Sequence, residues 1–95
     1  MKLRYSRESI EDLVRLRNFI ESKNPAAAQR IARELVTGME KLKLFPRIGV
    51  QVLRAPKPES IRDLFIGNYT ARYLINADEI VILRLWHNKE SERDG

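Results

Sequence analysis

The chain has 95 residues, no cysteine, one histidine and a formal net charge of +5. That length supports one modest core and a single domain over 1–95, and the missing thiols exclude disulfides and thiolate metal sites while fitting a cytoplasmic, reducing setting. A lone histidine makes a protein-built metal site improbable, so neither a metal nor another cofactor is expected, and no apolar run nears membrane-span length.

The start, Met1-Lys2-Leu3-Arg4-Tyr5, lacks the apolar centre of a secretion signal, so secretion is not expected. Residues 1–47 carry eleven Lys and Arg against six acids, whereas 48–95 carry seven against seven. The basic excess therefore lies in the N-terminal half. Such a surface attracts nucleic acid or an acidic protein, or is simply solvated.

Lys2 to Tyr5 reads as a short strand with Leu3 and Tyr5 on one side. Ser6 follows as a helix N-cap, with acids at Glu8, Glu11 and Asp12 near the positive end of the helix dipole. Ile10, Leu13, Val14, Leu16, Phe19 and Ile20 recur mostly at steps of three and four, which predicts an amphipathic helix to about Ser22 with Arg15 and Arg17 projecting away from its stripe. Asn24-Pro25 is a second helix start, and Ala28, Ile31, Ala32, Leu35, Met39 and Leu42 continue the helical period until Pro46 forbids it. A break of four residues between the helices predicts an antiparallel hairpin. Residues 47–59, punctuated by Gly49, Pro56 and Pro58, are expected to form an ordered loop anchored by Val50, Val52 and Leu53, with Lys57 exposed.

Residues 60–87 hold three short runs rich in β-branched and aromatic residues, separated by Gly67-Asn68 and by Asn76-Ala77-Asp78-Glu79. That pattern predicts a three-stranded antiparallel meander, and Gly at the first turn position suits a type II′ hairpin. The turn pairs Ile66 with Tyr69, Leu64 with Ala71 and Arg62 with Tyr73. One face then carries Leu64, Ile66, Tyr69, Ala71, Tyr73 and Ile75 and is expected under the helices; the other carries Ile61, Asp63, Phe65, Thr70, Arg72 and Leu74. Ile80 to Trp86, apolar on both faces apart from Arg84, reads as an interior strand with room for the N-terminal strand beside it. The tail from Asn88 to Gly95 is polar and expected to fray. The fold class is therefore α+β, in the order β-α-α-β-β-β, with a helical hairpin on one face of a mostly antiparallel four-stranded sheet.

No phosphate loop, nucleophile elbow or metal-ligand spacing is present. The candidate chemical groups are His87, Trp86, Lys89, Arg62, Arg72 and Arg84. A histidine at a sheet rim can act as general acid or base, but RNA cleavage also needs cations to stabilise charge on the phosphate. The alternative is a His87 that caps its strand by a hydrogen bond, a Trp86 in the core, and arginines paired with Asp63, Asp78 or Glu79.

Several strings, in this order, resemble the RelE/ParE toxins of bacterial toxin–antitoxin modules. They are Asn24-Pro25-Ala26-Ala27-Ala28, Leu44-Phe45-Pro46-Arg47-Ile48-Gly49, Ile61-Arg62-Asp63-Leu64, Tyr69-Thr70-Ala71-Arg72-Tyr73 and Ile82-Leu83-Arg84-Leu85-Trp86-His87. The resemblance spans about residues 2–90 and is nearest to the ParE-like branch, which includes plasmid stabilization proteins. It implies a toxin neutralised by the C-terminal segment of a cognate antitoxin in a hetero-oligomer. RelE-like members cut mRNA on the ribosome; ParE-like members poison DNA gyrase.

The cationic positions of the RelE-like nuclease fall here on Ile61, Asp63, Thr70 and Glu90, and an acid at such a position repels phosphate. Only His87 and Lys89 remain. The resemblance therefore implies a non-catalytic gyrase inhibitor. The alternatives are an mRNA endonuclease using His87 and Lys89 with Arg62 or Arg84, or a non-toxic relic that only binds antitoxin. Partner contacts are expected at Arg15, Arg17, Arg30 and Arg33 on the basic helices and at Trp86 and His87 on the sheet, suiting an acidic amphipathic segment that orders on binding.

Overall fold

The computed structural model describes residues 1–57 and 59–90. The elements are β1 (Lys2–Tyr5), α1 (Arg7–Lys23), α2 (Pro25–Glu40), a 3₁₀ turn (Lys41–Lys43), β2 (Val50–Gln51), β3 (Ile61–Ile66), β4 (Tyr69–Ile75) and β5 (Glu79–His87). They build one sheet in the order β1-β5-β4-β3-β2, in which β1 runs parallel to β5 and the other pairs are antiparallel. The α+β class and the helical hairpin are as expected, but the sheet has five strands rather than four. The extra strand, β2, pairs only Val50 with Asp63 and Gln51 with Arg62, too short a run to show a period in sequence.

The helix starts follow from side-chain capping. The Ser6 hydroxyl accepts the Ser9 N–H at 3.0 Å, and the Asn24 side chain accepts the Ala27 N–H at 3.1 Å. Asn24 also ends α1, donating its N–H to the Ile20 carbonyl at 2.7 Å. The expected four-residue break therefore shrinks to Asn24 alone, because extended backbone at that one residue serves both helices.

The core forms where the helices meet the predicted apolar sheet face. Leu16, Leu35, Met39 and Leu42 pack against Ala71, Tyr73, Ile80, Ile82 and Leu85, with Leu64, Ile66, Tyr69 and Ile75 at the margins. The β3–β4 register matches the turn-based pairing residue for residue, and among the described residues Gly67 alone has positive φ, at 58°. Between β4 and β5 the register slips: Arg72 faces Arg84, but Tyr73 faces Ile82. Leu83 is the extra residue of a bulge, so the helix-facing set passes from Ile80 and Ile82 to Leu85 and His87.

Two other expectations need correction. Val50 and Leu53 do not anchor the 47–59 segment; they are 58% and 79% exposed. Tyr73 anchors it instead. The Tyr73 hydroxyl donates to the Pro46 carbonyl at 2.7 Å and accepts the Gly49 N–H at 2.9 Å, while Arg62 donates to the Gly49 carbonyl at 2.9 Å. Gly49 is required there, since a Cβ would lie 2.7 Å from the Tyr73 ring and 2.8 Å from the Asp63 carbonyl. The tail is likewise not frayed through Glu90, whose N–H bonds the His87 carbonyl at 2.8 Å; the rest of that expectation, at 91–95, and the reading of Pro58 lie outside the described residues.

Beyond Tyr5, β5 has no neighbouring strand on its outer side among the described residues, and α1 closes the gap. Ser6 donates from its backbone to the Ile82 carbonyl and from its hydroxyl to the Leu83 carbonyl, both at 2.9 Å. The Asp12 carboxylate then accepts the Leu85 N–H at 2.9 Å and the Arg84 guanidinium at 2.9 and 3.1 Å. Burial raises the Asp12 pKa, but the Arg84 and Leu85 hydrogen bonds and the charges of Arg84 and Arg15 outweigh it and hold the carboxyl below its ordinary range.

Two stability predictions follow from these anchors. Asp12→Asn should cost about 3 kcal/mol at neutral pH, because it leaves the Arg84 charge without its carboxylate. A depressed pKa stabilises above the unfolded value of roughly 3.9 and is lost as pH falls through the folded value. Melting temperature against pH should therefore show a shallower acid limb in Asp12→Asn than in the wild type. Tyr73→Phe should cost about 2 kcal/mol, or roughly 10 °C in melting temperature, by stranding a buried N–H and a carbonyl; an unchanged calorimetric midpoint would refute the anchor.

Candidate partner-binding site

Where β5 ends, α1 and the sheet leave a cavity of about 630 Å³ lined by Arg15, Leu16, Phe19, Ile20, Tyr69, His87, Lys89 and Glu90. Leu16 and Ile20 sit on the sheet-facing side of α1. Phe19 lies on the flank of that stripe and stays 62% exposed. Tyr69 and His87 are cross-strand partners, their rings meeting edge to face at 5.0 Å between centroids. The bulge at Leu83 is what turns His87 toward this side of the sheet.

Glu90 folds back over the cavity mouth. Its carboxylate accepts the His87 N–H at 2.8 Å and pairs with Arg15 at 2.6 Å. Arg15 does not project away from the stripe: it reaches the sheet end, donating also to the Leu85 carbonyl at 3.4 Å and standing 3.6 Å from Asp12. The His87 ring accepts the Lys89 N–H on Nδ1 at 3.0 Å, the capping bond that a strand-terminal histidine can make. Burial raises the Tyr69 pKa, and the nearby Glu90 and Glu34 charges raise it further, so the phenol stays neutral at pH 7. The cavity thus combines an apolar floor with one Arg–Glu pair, a neutral phenol and Lys89, which has no ion-pair partner among the described residues.

The other expected site residues are dispersed. Arg62 belongs to β3 and is spent on the carbonyls of Glu59, Arg47 and Gly49, whereas His87 lies two strands away at the opposite end of the register. Arg84 is held by Asp12, and Arg72 by Asp63 at 2.8 and 3.0 Å. Trp86 faces the other side of the sheet, 6% exposed, with the Arg72 guanidinium 5.1 Å above its ring. On the hairpin, Arg17 stands 3.6 Å from Glu21 and Arg30 3.8 Å from Glu34, in exposed pairs, and Arg33 is exposed. Of the expected residues, only Arg15, His87 and Lys89 share the cavity. Phe19, Tyr69 and Glu90 join them without having been chosen from sequence. The apolar spacing puts Phe19 on the stripe, but α1 docked on the sheet leaves it at the edge.

Among the described residues no His, Cys, Asp and Glu side chains gather as a metal-binding group, and no helix is long and apolar enough to cross a membrane.

Comparison with known proteins agrees with this architecture. No curated protein matches the chain in sequence. A solved chain of the chromosomal ParDE toxin–antitoxin system from P. aeruginosa is similar in fold, with a TM-score of 0.77 at 21% identity, covering 92% of this chain and 95% of that one. A conserved hypothetical protein from Helicobacter pylori is more distant, with a TM-score of 0.57 at 19% identity over 95% of this chain and 97% of its own. The family model for the ParE toxin of the type II toxin–antitoxin system parDE matches residues 3–92. Matched over nearly its whole length, with the hairpin, sheet order and Pro–Gly loop already in place, the chain belongs to the ParE toxin family.

Proposed function

We propose that the chain is a gyrase-directed toxin without ribonuclease chemistry, held inactive in a hetero-oligomer by a cognate antitoxin. The observation that carries this reading is the commitment of the arginines around the sheet end. Arg15 faces Glu90, Arg84 faces Asp12 and Arg72 faces Asp63, so their charge is neutralised where an RNA phosphate would need it. His87 can supply acid–base chemistry, but with Arg15, Arg72 and Arg84 paired, Lys89 is left as the cation beside it, too little charge to make phosphate cleavage fast. Membership in the ParE family points to gyrase as the target, and the ParDE likeness points to an antitoxin partner.

The antitoxin reading places an acidic amphipathic segment along α1 and into the cavity. Leu16, Phe19 and Ile20 offer the apolar contact, and Arg15 and Lys89 the charge. Ile10 and Val14, 51% and 53% exposed, extend apolar surface along α1 away from the sheet. The second reading, an mRNA endonuclease, draws on His87, Lys89 and Tyr69 lying in one cavity.

Purified chain added to gyrase and supercoiled plasmid is expected to accumulate linear, protein-linked DNA. His87→Ala should keep that activity within about threefold, as expected for a substitution away from any chemical step. Cleavage of translated mRNA that disappears in His87→Ala, with gyrase untouched, would select the endonuclease instead. Phe19→Asp should weaken binding to the cognate antitoxin by about tenfold or more in calorimetric titration, with little change in melting temperature.

A further inference from the structure

The largest concentration of exposed apolar side chains lies at the other edge of the molecule. Leu44, Phe45, Ile48, Val50, Leu53 and Phe65 are each between 54% and 79% exposed. Phe45, Pro46, Arg47 and Ile48 line a shallow depression of about 390 Å³. The β2–β3 register puts Val50 and Phe65 on one face of the sheet edge that this loop leads into. Val50 opposes Asp63, so its side chain shares a face with Asp63 and, two residues on, with Phe65. Exposed apolar residues scattered singly need no explanation; a contiguous group marks a contact surface.

The loop that carries them is also fixed. The buried Tyr73 hydroxyl holds both Pro46 and Gly49, and Arg62 holds the carbonyls of Arg47 and Gly49. A loop that displays Phe45 and Ile48 to solvent while its backbone is pinned to the core loses little entropy on binding. Arg47 and Lys41 have no ion-pair partner among the described residues, and Asp63, the acid beneath the surface, is taken by Arg72. A second copy of this chain would set like charges against each other, and a nucleic acid backbone would leave the apolar side chains uncovered. An acidic protein surface with apolar contacts satisfies both.

We infer that the Leu44–Ile48 loop, with Val50 and Phe65 beside it, is a docking surface for an acidic face of the toxin's protein target, separate from the α1 cavity assigned to the antitoxin. The inference rests on the toxin reading, and it names the surface rather than the target. It makes toxicity and neutralisation separable by mutation, since the two surfaces sit at opposite edges of the sheet.

The test uses the full chain as Phe45→Ser/Ile48→Ser and, separately, Arg47→Glu. All three side chains are exposed, so melting temperatures should stay near wild type. Each variant is induced in cells without antitoxin, added to gyrase with supercoiled plasmid, and titrated with antitoxin. Growth arrest and gyrase inhibition are expected to fall about 30-fold while antitoxin affinity changes less than about threefold. Folded variants that stay fully toxic would overturn the inference, as would parallel loss of antitoxin affinity, which would give the loop to the antitoxin. It is also overturned if the wild type sediments as a dimer that Phe45→Ser/Ile48→Ser dissolves, if Arg47→Glu mainly reduces binding to plasmid alone, or if the wild type does not arrest growth. Should the wild type arrest growth with gyrase unaffected, the gyrase reading falls alone, and loss of arrest in the variants still supports the loop.

Discussion

The Asp12 carboxylate is the interaction on which this structure turns. β5 is bordered by β1 only as far as Ile82. Past that point its outer edge would present unpaired backbone groups, a free-energy cost inside a protein and an invitation to foreign strands outside it. Asp12 takes the Leu85 N–H and neutralises Arg84 in the same contact, with Ser6 before it and Arg15 and Glu90 after it continuing the closure. Helix α1 is therefore fastened to the sheet by polar bonds along one edge as well as by apolar packing beneath it. The cavity at the end of β5 exists because that fastening sets where Phe19 and Arg15 arrive.

Much of this was legible in the chain itself, for identifiable reasons. The Gly67-Asn68 turn and strict alternation around it specify the β3–β4 register, since a slip of one residue would put Asp63 and Arg72 under the helices. Ser6 and Asn24-Pro25 mark helix starts because capping needs those side chains locally. What escaped depended on contacts distant in sequence. β2 is strand only because β3 lies next to it. Arg15 read as a projecting charge because nothing nearby in sequence announces Glu90, 75 residues on. The Leu83 bulge is invisible in a run of Ile, Val and Leu, so a plain count of alternation in β5 cannot place His87.

The charge pattern has a similar lesson. The sequence locates a basic excess in the N-terminal half, but folding spends several of those charges locally. Arg17 and Arg30 have glutamates one helical turn on, exposed pairs worth a few tenths of a kcal/mol each. Arg62, Arg72 and Arg84, which looked equivalent as chemical candidates, hold three different parts of the scaffold: a loop, a neighbouring strand and a helix. Guanidinium groups suit that work because their several donors bind carboxylates or carbonyls in a fixed geometry. A cation count taken from sequence measures attraction at a distance, whereas catalytic potential depends on which cations remain uncommitted after folding.

The bulge at Leu83 gives β5 a fixed side-chain phase. Before it, even-numbered residues face the helices; after it, odd-numbered ones do. If Leu83 took part in plain alternation instead, the segment beyond would be rotated by half a turn about its own axis. Trp86 and Arg84 would then point into the space now filled by Leu85 and the His87–Tyr69 contact. In relatives of this toxin, apolar residues of the last strand can therefore be exchanged for one another, but a strand one residue shorter keeps its later side chains on their present sides only where the bulge is lost with that residue.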